Sequence, residues 1–173
     1  MIKIFNYSSP VGVLIIGEYE GKLCMLDWQY RKQRAQIDQR IQNYFQTEFK
    51  KEETLLHLQT IQQLEEYFNK KRKTFELELI LVGTDFQKQV WTALCQIPYG
   101  KTVSYLQLSQ QIGNEKAIRA VASANGANAI SIIIPCHRVI GSNGALTGYA
   151  GGLTAKRKLL EIENSITTPT LFD

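Results

Sequence analysis

Hydrophobic and polar residues alternate along the start of the chain. Ile2-Lys3-Ile4-Phe5-Asn6-Tyr7 runs at period two, and Ser8-Ser9-Pro10 makes a turn. Val11 to Glu18 reads as a second strand, and Glu20-Gly21 separates it from a third over Lys22 to Trp28. A period of two puts successive side chains on opposite faces, so the stretch predicts an antiparallel meander. Arg31 to Phe49 is polar with widely spaced apolar residues and fits a helix. Leu55, Leu58, Ile61, Leu64, Tyr67 and Phe68 recur at helical spacing and predict an amphipathic helix buried on that stripe. Phe75 to Val82 reads as a further strand.

After Gly83 the pattern becomes helical. Thr84 is placed to cap a helix over Asp85 to Gln96, with Phe86, Val90 and Leu94 on one face, and Ile97-Pro98-Tyr99-Gly100 breaks it. Ser104 caps a short helix to Ile112, Gly113 ends it, and Asn114 or Glu115 opens another through about Asn125. Two short helices joined by a tight glycine turn form a helix-turn-helix pattern. A last helix spans about Thr154 to Glu163, and Thr167 to Asp173 reads as a frayed tail. The fold class expected is α+β. A small strand-rich α/β domain over residues 1–83 precedes a mainly helical, winged-helix-like domain over 84–173.

Composition narrows the function classes. The chain has 173 residues, 44% apolar and 21% charged, which is ordinary globular usage with enough length for one or two cores. Twenty basic and 16 acidic side chains leave +4. Residues 1–100 hold 13 basic and 12 acidic side chains, and residues 101–173 hold 7 and 4. The excess therefore lies on the half with the helix-turn-helix, which suits a polyanionic partner without requiring one. No run reaches the roughly 18 apolar residues of a membrane span. The first residues lack a signal-peptide cleavage pattern. Three cysteines with no C-x-x-C pair exclude a disulfide framework, so a reducing cytoplasmic compartment is expected.

The second helix of the pair reads Ala117-Ile118-Arg119-Ala120-Val121-Ala122-Ser123-Ala124. Sequence-specific readers carry Arg, Asn or Gln that make bidentate contacts to base edges. One arginine on a face of alanines suits close approach to a groove by shape and phosphate, and it equally suits a helix packed against its neighbours.

Cys24 and Cys95 lie in apolar-patterned segments and read as small buried hydrophobes. Cys136 stands apart. A β-branched run ends at Pro135, and Pro135-Cys136-His137-Arg138 sets a thiol beside an imidazole and a guanidinium. A base or positive charge near a thiol raises its thiolate fraction, which makes this an activated sulfur nucleophile. A buried structural cysteine, a zinc ligand and a cysteine hydrolase are the competing readings. The ligand stock of Cys24, Cys95, Cys136, His57 and His137 has no paired spacing for zinc. Sequence adjacency of Cys and His does not supply a hydrolase geometry.

Ile134-Pro135-Cys136-His137-Arg138-Val139 resembles the active-site signature of the O6-alkylguanine-DNA alkyltransferases. Its surroundings agree. Pro98 to Tyr105 resembles the family's entry to its helix-turn-helix, and Ile118-Arg119-Ala120-Val121 its recognition helix. Asn128 resembles its asparagine hinge, Gly148-Tyr149-Ala150-Gly151-Gly152-Leu153 its substrate loop, and Leu159 to Glu163 its final helix.

The resemblance implies irreversible transfer of an alkyl group from O6 of a damaged guanine in double-stranded DNA to Cys136, once per chain and without a cofactor. By the same resemblance His137 accepts the thiol proton through a water, Glu163 orients His137, and Asn128 ties the DNA-binding turn to the nucleophile. Tyr105 donates to guanine N3, while Tyr149, Ala150, Gly151 and Gly148 form the base pocket. Many relatives carry a serine where this chain has Ala150, which leaves open the alkyl size and whether O4-alkylthymine is accepted. Arg119 fills the gap left by the everted base, with Ala120, Ser123 and Lys101 at the DNA. A base must leave the stack before sulfur can reach it, at a few kcal/mol. Arg138 reads as structural. Lys116, Lys156, Arg157 and Lys158 read as further phosphate contacts or a solvated face.

Action as a monomer, with no metal and no membrane partner, completes the expectation. A damage sensor without chemistry would lack Cys136, and a transcriptional regulator would need a more discriminating recognition helix.

Overall fold

The computed structural model describes residues 1–166; the tail expected to fray, 167–173, lies outside the described residues. The meander forms as the alternation predicts. β1 (Ile2–Ser9), β2 (Gly12–Tyr19) and β3 (Lys22–Trp28) pair antiparallel in sequence. α1 (Arg34–Phe45) leads into β4 (Phe49–Lys51), a short strand that pairs parallel with β1 and gives the sheet order β3-β2-β1-β4. Three residues carry no readable period, which is why β4 is invisible in the pattern.

α2 (Leu55–Phe68) forms with a different buried face from the predicted stripe. Leu64 and Tyr67 are buried, but so are His57 and Thr60, while Leu55 is 71% exposed and Leu58 48%. The polar residues go inside because each is satisfied there. His57 Nδ1 accepts from the Thr54 amide at 3.0 Å, its Nε2 meets the Lys3 carbonyl at 3.2 Å, and Thr60 Oγ1 donates to the Leu56 carbonyl at 2.7 Å. A buried polar group with its partners in place no longer opposes burial.

Phe75–Val82 is not a strand. It makes a single bridge, in which the Leu23 amide donates to the Glu78 carbonyl at 2.9 Å and the Ile80 amide to the Leu23 carbonyl at 2.8 Å. A second bridge covers the same edge of β3 near its other end. The Leu26 amide donates to the Ala129 carbonyl at 2.8 Å, and the Ser131 amide to the Leu26 carbonyl at 2.7 Å. The open edge of β3 thus becomes the dock for a segment 100 residues away, just before Cys136. An unpaired edge offers a row of donors and acceptors that invites such pairing.

The second half is helical. α3 (Asp85–Leu94) carries a Thr84 capping box with Gln87, and α4 (Tyr105–Gln111) carries one with Ser104 and Gln107. A 3-10 turn, Glu115–Ala117, precedes α5 (Ile118–Gly126), so the helix begins later than its acidic opening suggests. β5 (Val103–Ser104) and β6 (Val139–Ile140) form a two-residue parallel pair, and α6 (Leu153–Ile162) is the last element among the described residues. Both halves share a core including Leu14, Leu26, Leu64, Val90, Leu94, Val121, Ile134 and Leu159. A smaller cluster of Ile2, Met25, Ile37, Ile41 and Val82 packs with α1. Cys24 is buried as expected; Cys95 is exposed at the end of α3, contrary to its apolar setting. No helix among the described residues is long and apolar enough to cross a membrane.

The exchange of faces on α2 is testable. Leu64→Ala should lower the unfolding free energy by about 2–5 kcal/mol, and Leu55→Ala by less than about 0.5 kcal/mol. Urea titrations of both variants measure the difference; equal losses would restore the predicted stripe.

Candidate active site

Cys136 opens a 3-10 turn, Cys136–Arg138, that starts at Pro135. The β-branched run before it is a tight turn. Ile132 sits at φ 72°, the left-handed region that a β-branched residue occupies only under constraint. Such a residue costs on the order of 1–3 kcal/mol and persists where its surroundings over-determine it. Here they do. The Ile134 amide donates to the Ile130 carbonyl at 3.0 Å and the Cys136 amide to the Ile134 carbonyl at 2.8 Å. Asn128 braces the turn from inside. Its Oδ1 accepts from the Ile130 amide at 2.9 Å, and its Nδ2 donates to the Ile134 carbonyl at 3.0 Å and to Cys136 Sγ at 3.3 Å.

His137 and Glu163, 26 residues apart, meet at 2.8 Å between Nε2 and Oε1. Arg138 donates from Nε to Glu163 Oε2 at 2.9 Å and from Nη2 to Oε1 at 3.0 Å, and its Nη1 reaches the Ile97 carbonyl at 2.6 Å. The Tyr67 hydroxyl of α2 donates to Oε1 at 2.7 Å. Burial would raise the Glu163 carboxyl, but the hydrogen bond from His137 and the bonds and charge of Arg138 overcome it and hold it at about 2. An ionised acceptor fixes the Nε2–H tautomer of His137 and leaves Nδ1 with a free lone pair. Nδ1 is buried and has no partner among the described residues. Burial lowers the His137 pKa despite Glu163, so the ring rests neutral.

The Cys136 thiol is pushed up, with burial the largest cause and the Asn128 hydrogen bond the first opposing one. The neighbouring guanidinium therefore does not raise the resting thiolate fraction, which the Pro135–Arg138 sequence suggests it would. The Arg138 guanidinium is engaged by Glu163, and burial keeps the sulfur a thiol.

Cys136 is 3% exposed yet lines a cleft of about 860 Å³. Tyr105, Gly148, Tyr149, Ala150 and Gly151 line it too, with Asn125 of α5. Tyr105 donates to the Thr147 carbonyl at 3.4 Å, which ties α4 to the loop. Gly151 must lack a Cβ, because one there would run into the Trp28 indole. Arg119, Ala120 and Ser123 are exposed on α5 outside the cleft, and Lys101 is exposed on the turn before β5. The structure therefore gathers the candidate catalytic and pocket residues into one site, with the helix residues on an open face beyond it. Lys156 is corrected: it is fully buried and forms no part of a solvated face. Its Nζ donates to the carbonyls of Val139 at 2.6 Å and Thr147 at 2.9 Å. Lys158 bonds the Pro10 carbonyl at 2.8 Å. Among the described residues no cluster of three or more His, Cys, Asp or Glu side chains could hold a metal.

Sequence reasoning missed the contribution of the first half. Asp27, fully buried at the end of β3, pairs with Arg31 at 3.0 Å and Arg34 at 2.9 Å. Arg31 continues to the carbonyls of Gly126 at 2.6 Å and Asn128 at 3.2 Å, and Arg40 reaches the Ala127 carbonyl at 2.9 Å. Two cations thus cap the carboxyl end of α5, where the helix dipole favours positive charge. An aspartate in the otherwise apolar strand Leu23-Cys24-Met25-Leu26-Asp27-Trp28 was the available signal for a buried pair.

Comparison with known proteins accords with this geometry. A profile of the 6-O-methylguanine DNA methyltransferase ribonuclease-like domain matches residues 3–81, and one of the DNA binding domain of the same proteins matches 85–165. The chain is 46% identical over 159 residues to a methylated-DNA–protein-cysteine methyltransferase of Methanosarcina barkeri, covering 91% of this chain and 94% of the relative. It is 41% identical over 178 residues to that of Mycobacterium leprae, covering 100% of both. The crystal structure of Mycobacterium tuberculosis OGT in complex with DNA superposes with a TM-score of 0.82 at 41% identity, covering 94% of this chain and 93% of that one.

Two predictions follow from the buried charges. Glu163 is held at about 2 against an ordinary 4.5. A folded value below the unfolded one gives stability that is complete above about pH 4.5 and lost as pH falls through the folded value. Glu163→Gln should be destabilised at pH 7 by about 3 kcal/mol, because Arg138 keeps its charge without its partner. Its acid limb should also be flatter, and urea unfolding between pH 5 and 2 reads both; an unaltered slope would assign the acid sensitivity to another group. Arg31→Leu should cost about 3 kcal/mol and speed amide hydrogen exchange over Ala127–Ile130; protection equal to wild type there would refute the capping role.

Proposed function

The chain belongs to the 6-O-methylguanine DNA methyltransferase family, and on that premise we propose that it repairs alkylated double-stranded DNA by taking the alkyl group from O6 of guanine onto its own Cys136. The observation that carries this reading is a single juxtaposition. Cys136 lines an open cleft, while the His137 beside it has Nδ1 unpartnered and Nε2 held by Glu163.

The damaged nucleotide leaves the duplex, because O6 is shielded while the base is stacked. Exposed Arg119 fills the vacated space, and the small side chains of Ala120 and Ser123 let the backbone of α5 approach the groove. Lys101 adds a phosphate contact. The everted base enters the cleft between Tyr105 and the Gly148–Gly151 segment, with Tyr149 against it and Ala150 leaving the backbone to face O6. Cys136 gives its proton to His137 Nδ1 through an intervening water, and Glu163 stabilises the imidazolium that forms. The sulfur lone pair then attacks the alkyl carbon in line, a C–S bond forms, and the C–O6 bond breaks with its electron pair going to the purine. Tyr105 donates to N3 and stabilises that charge until the guanine regains a proton. The net change is thiol plus O6-alkylguanine to thioether plus guanine, with no cofactor and no route back to the thiol.

A thiol kept neutral by burial suits a protein that reacts once. It stays unreactive until a base displaces water from the cleft and the proton moves to His137. Residues 84 onward carry the DNA contacts and the chemistry, and residues 1–83 hold them in place. One chain supplies nucleophile, base and orienting carboxylate, so the protein acts as a monomer, in a compartment reducing enough to keep Cys136 free.

Intact-mass analysis after incubation with a duplex carrying O6-methylguanine tests the reading. One methyl per chain is expected, on Cys136 by peptide mapping, and none on Cys136→Ala, which should still bind the duplex. Methyl left on the DNA, or released over many turnovers, would reject the mechanism.

A further inference from the structure

We propose that Tyr67, a residue of the amino-terminal half, is a positioning residue for the chemistry at Cys136: its hydroxyl holds Oε1 of Glu163, the oxygen that His137 also uses, and so restrains His137 as a base. This role deepens the proposed reaction and rests on His137 taking the thiol proton there.

Tyr67 lies on α2 with no exposed surface, and its hydroxyl donates to Glu163 Oε1 at 2.7 Å. Oε1 also receives His137 Nε2 at 2.8 Å and Arg138 Nη2 at 3.0 Å, whereas Oε2 receives only Arg138 Nε, at 2.9 Å. A carboxylate oxygen has about two lone-pair sites. Three donors therefore compete on one oxygen while its twin takes one. The phenol is held in place by its neighbours. Its ring centroid lies 5.5 Å from those of Phe68 and Phe75 and 6.3 Å from that of Tyr99. Among the described residues Glu163 is the only partner of the hydroxyl. A phenylalanine would fill this aromatic cage as well, so packing alone does not call for the hydroxyl.

When Cys136 gives up its proton, His137 Nδ1 takes it, and the imidazolium keeps its Nε2–H on Oε1. The negative charge left on Oε1 decides how well that cation is stabilised. A neutral donor on the same oxygen draws on that charge. The other groups facing the ring act in fixed senses. Arg138 on its own turn and Lys156 of α6 oppose its protonation, and Glu163 favours it. Tyr99 and Tyr149 also feel the carboxylate, but neither bonds to it; the Tyr99 hydroxyl donates to the Ile162 carbonyl at 3.2 Å. Tyr67 is thus the one hydroxyl on Glu163 among the described residues.

The sign separates this role from a structural one. Removing the hydroxyl returns charge to Oε1. His137 becomes a stronger base, and the Cys136 thiol ionises at lower pH. Loss of a bond that only held the domains together would leave the sulfur as reactive as before, or less so.

The test compares the full chain with Tyr67→Phe. Tyr99→Phe is the control, since it removes a hydroxyl from the same aromatic cluster without touching Glu163. Iodoacetamide reads the sulfur without DNA: a C–S bond forms at Cys136 as iodide leaves. Peptide mapping separates Cys136 from exposed Cys95. The chain has two histidines, so nitrogen NMR of labelled rings follows His137 directly. Tyr67→Phe should alkylate Cys136 about 3- to 10-fold faster at neutral pH, and its His137 ring should protonate at higher pH than in wild type. Tyr99→Phe should change neither. Alkylation of Tyr67→Phe at or below the wild-type rate, or a His137 titration that does not move up, overturns the proposal. Should Tyr67→Phe fail to fold, a ring-fluorinated tyrosine in place of Tyr67 decides. It keeps the packing, donates more strongly and should slow alkylation of Cys136 about 3-fold; a rate that is unchanged or higher overturns the proposal. Should the wild-type protein take up no methyl group from a duplex carrying O6-methylguanine, the repair reading falls, and the iodoacetamide and NMR measurements still decide the role of Tyr67.

Discussion

Glu163 is 2% exposed and receives four hydrogen bonds, from Tyr67, from His137 and twice from Arg138. A carboxylate so placed must be ionised and fully paired, or the interior would reject it. Once it is satisfied, much else is set. It chooses the tautomer of His137 and so creates the free lone pair at Nδ1. It takes up the Arg138 guanidinium, which then cannot stabilise a resting thiolate. Through Tyr67 it ties the helix of the first half to the last residues of the second.

The nucleophile is held by a second set of constraints that converge on Asn128. Its side chain braces the strained turn at Ile132 and reaches Cys136 Sγ, while its carbonyl is held by Arg31. Arg31 is in turn anchored by buried Asp27, and the next residues, Ala129 to Ser131, dock on the edge of β3. The amino-terminal sheet is therefore part of the active site by support, although no residue of it is assigned to the chemistry. Cations at the carboxyl end of α5 also fix that helix relative to the sulfur. In the proposed reaction, an everted base then meets a sulfur already fixed in place, the condition under which positioning accelerates a displacement.

Neutrality at rest and reactivity on demand follow from one arrangement. Burial keeps both Cys136 and His137 uncharged. In the proposed reaction, proton transfer between them through a water makes an ion pair that Glu163 stabilises from behind the ring. Each group is disfavoured alone in its charged form, so the charged state arises only when the pair forms together and substrate consumes it. For the single-turnover reaction proposed above, an unready thiol prevents loss to stray electrophiles.

The sequence by itself determined the local elements and the reactive chemistry. Strand alternation, the Thr84 and Ser104 caps and the glycine-bounded helix pair are written in neighbouring residues, where period and capping act, and Pro135-Cys136-His137-Arg138 sets the reactive groups side by side. Local pattern misplaced the buried face of α2, promoted Phe75–Val82 to a strand, left Lys156 at the surface and hid Cys95's exposure. In each case the outcome was decided by partners far along the chain. His57 and Thr60 are buried because their polar atoms are met, and Lys156 because three carbonyls converge on it. Tyr67 meets Glu163 across 96 residues and Arg31 meets Asn128 across 97. Periodicity carries no information about such pairings, since they come from the packing of one domain on the other. Only the tertiary structure therefore decided that the thiol rests protonated and which nitrogen of His137 is free.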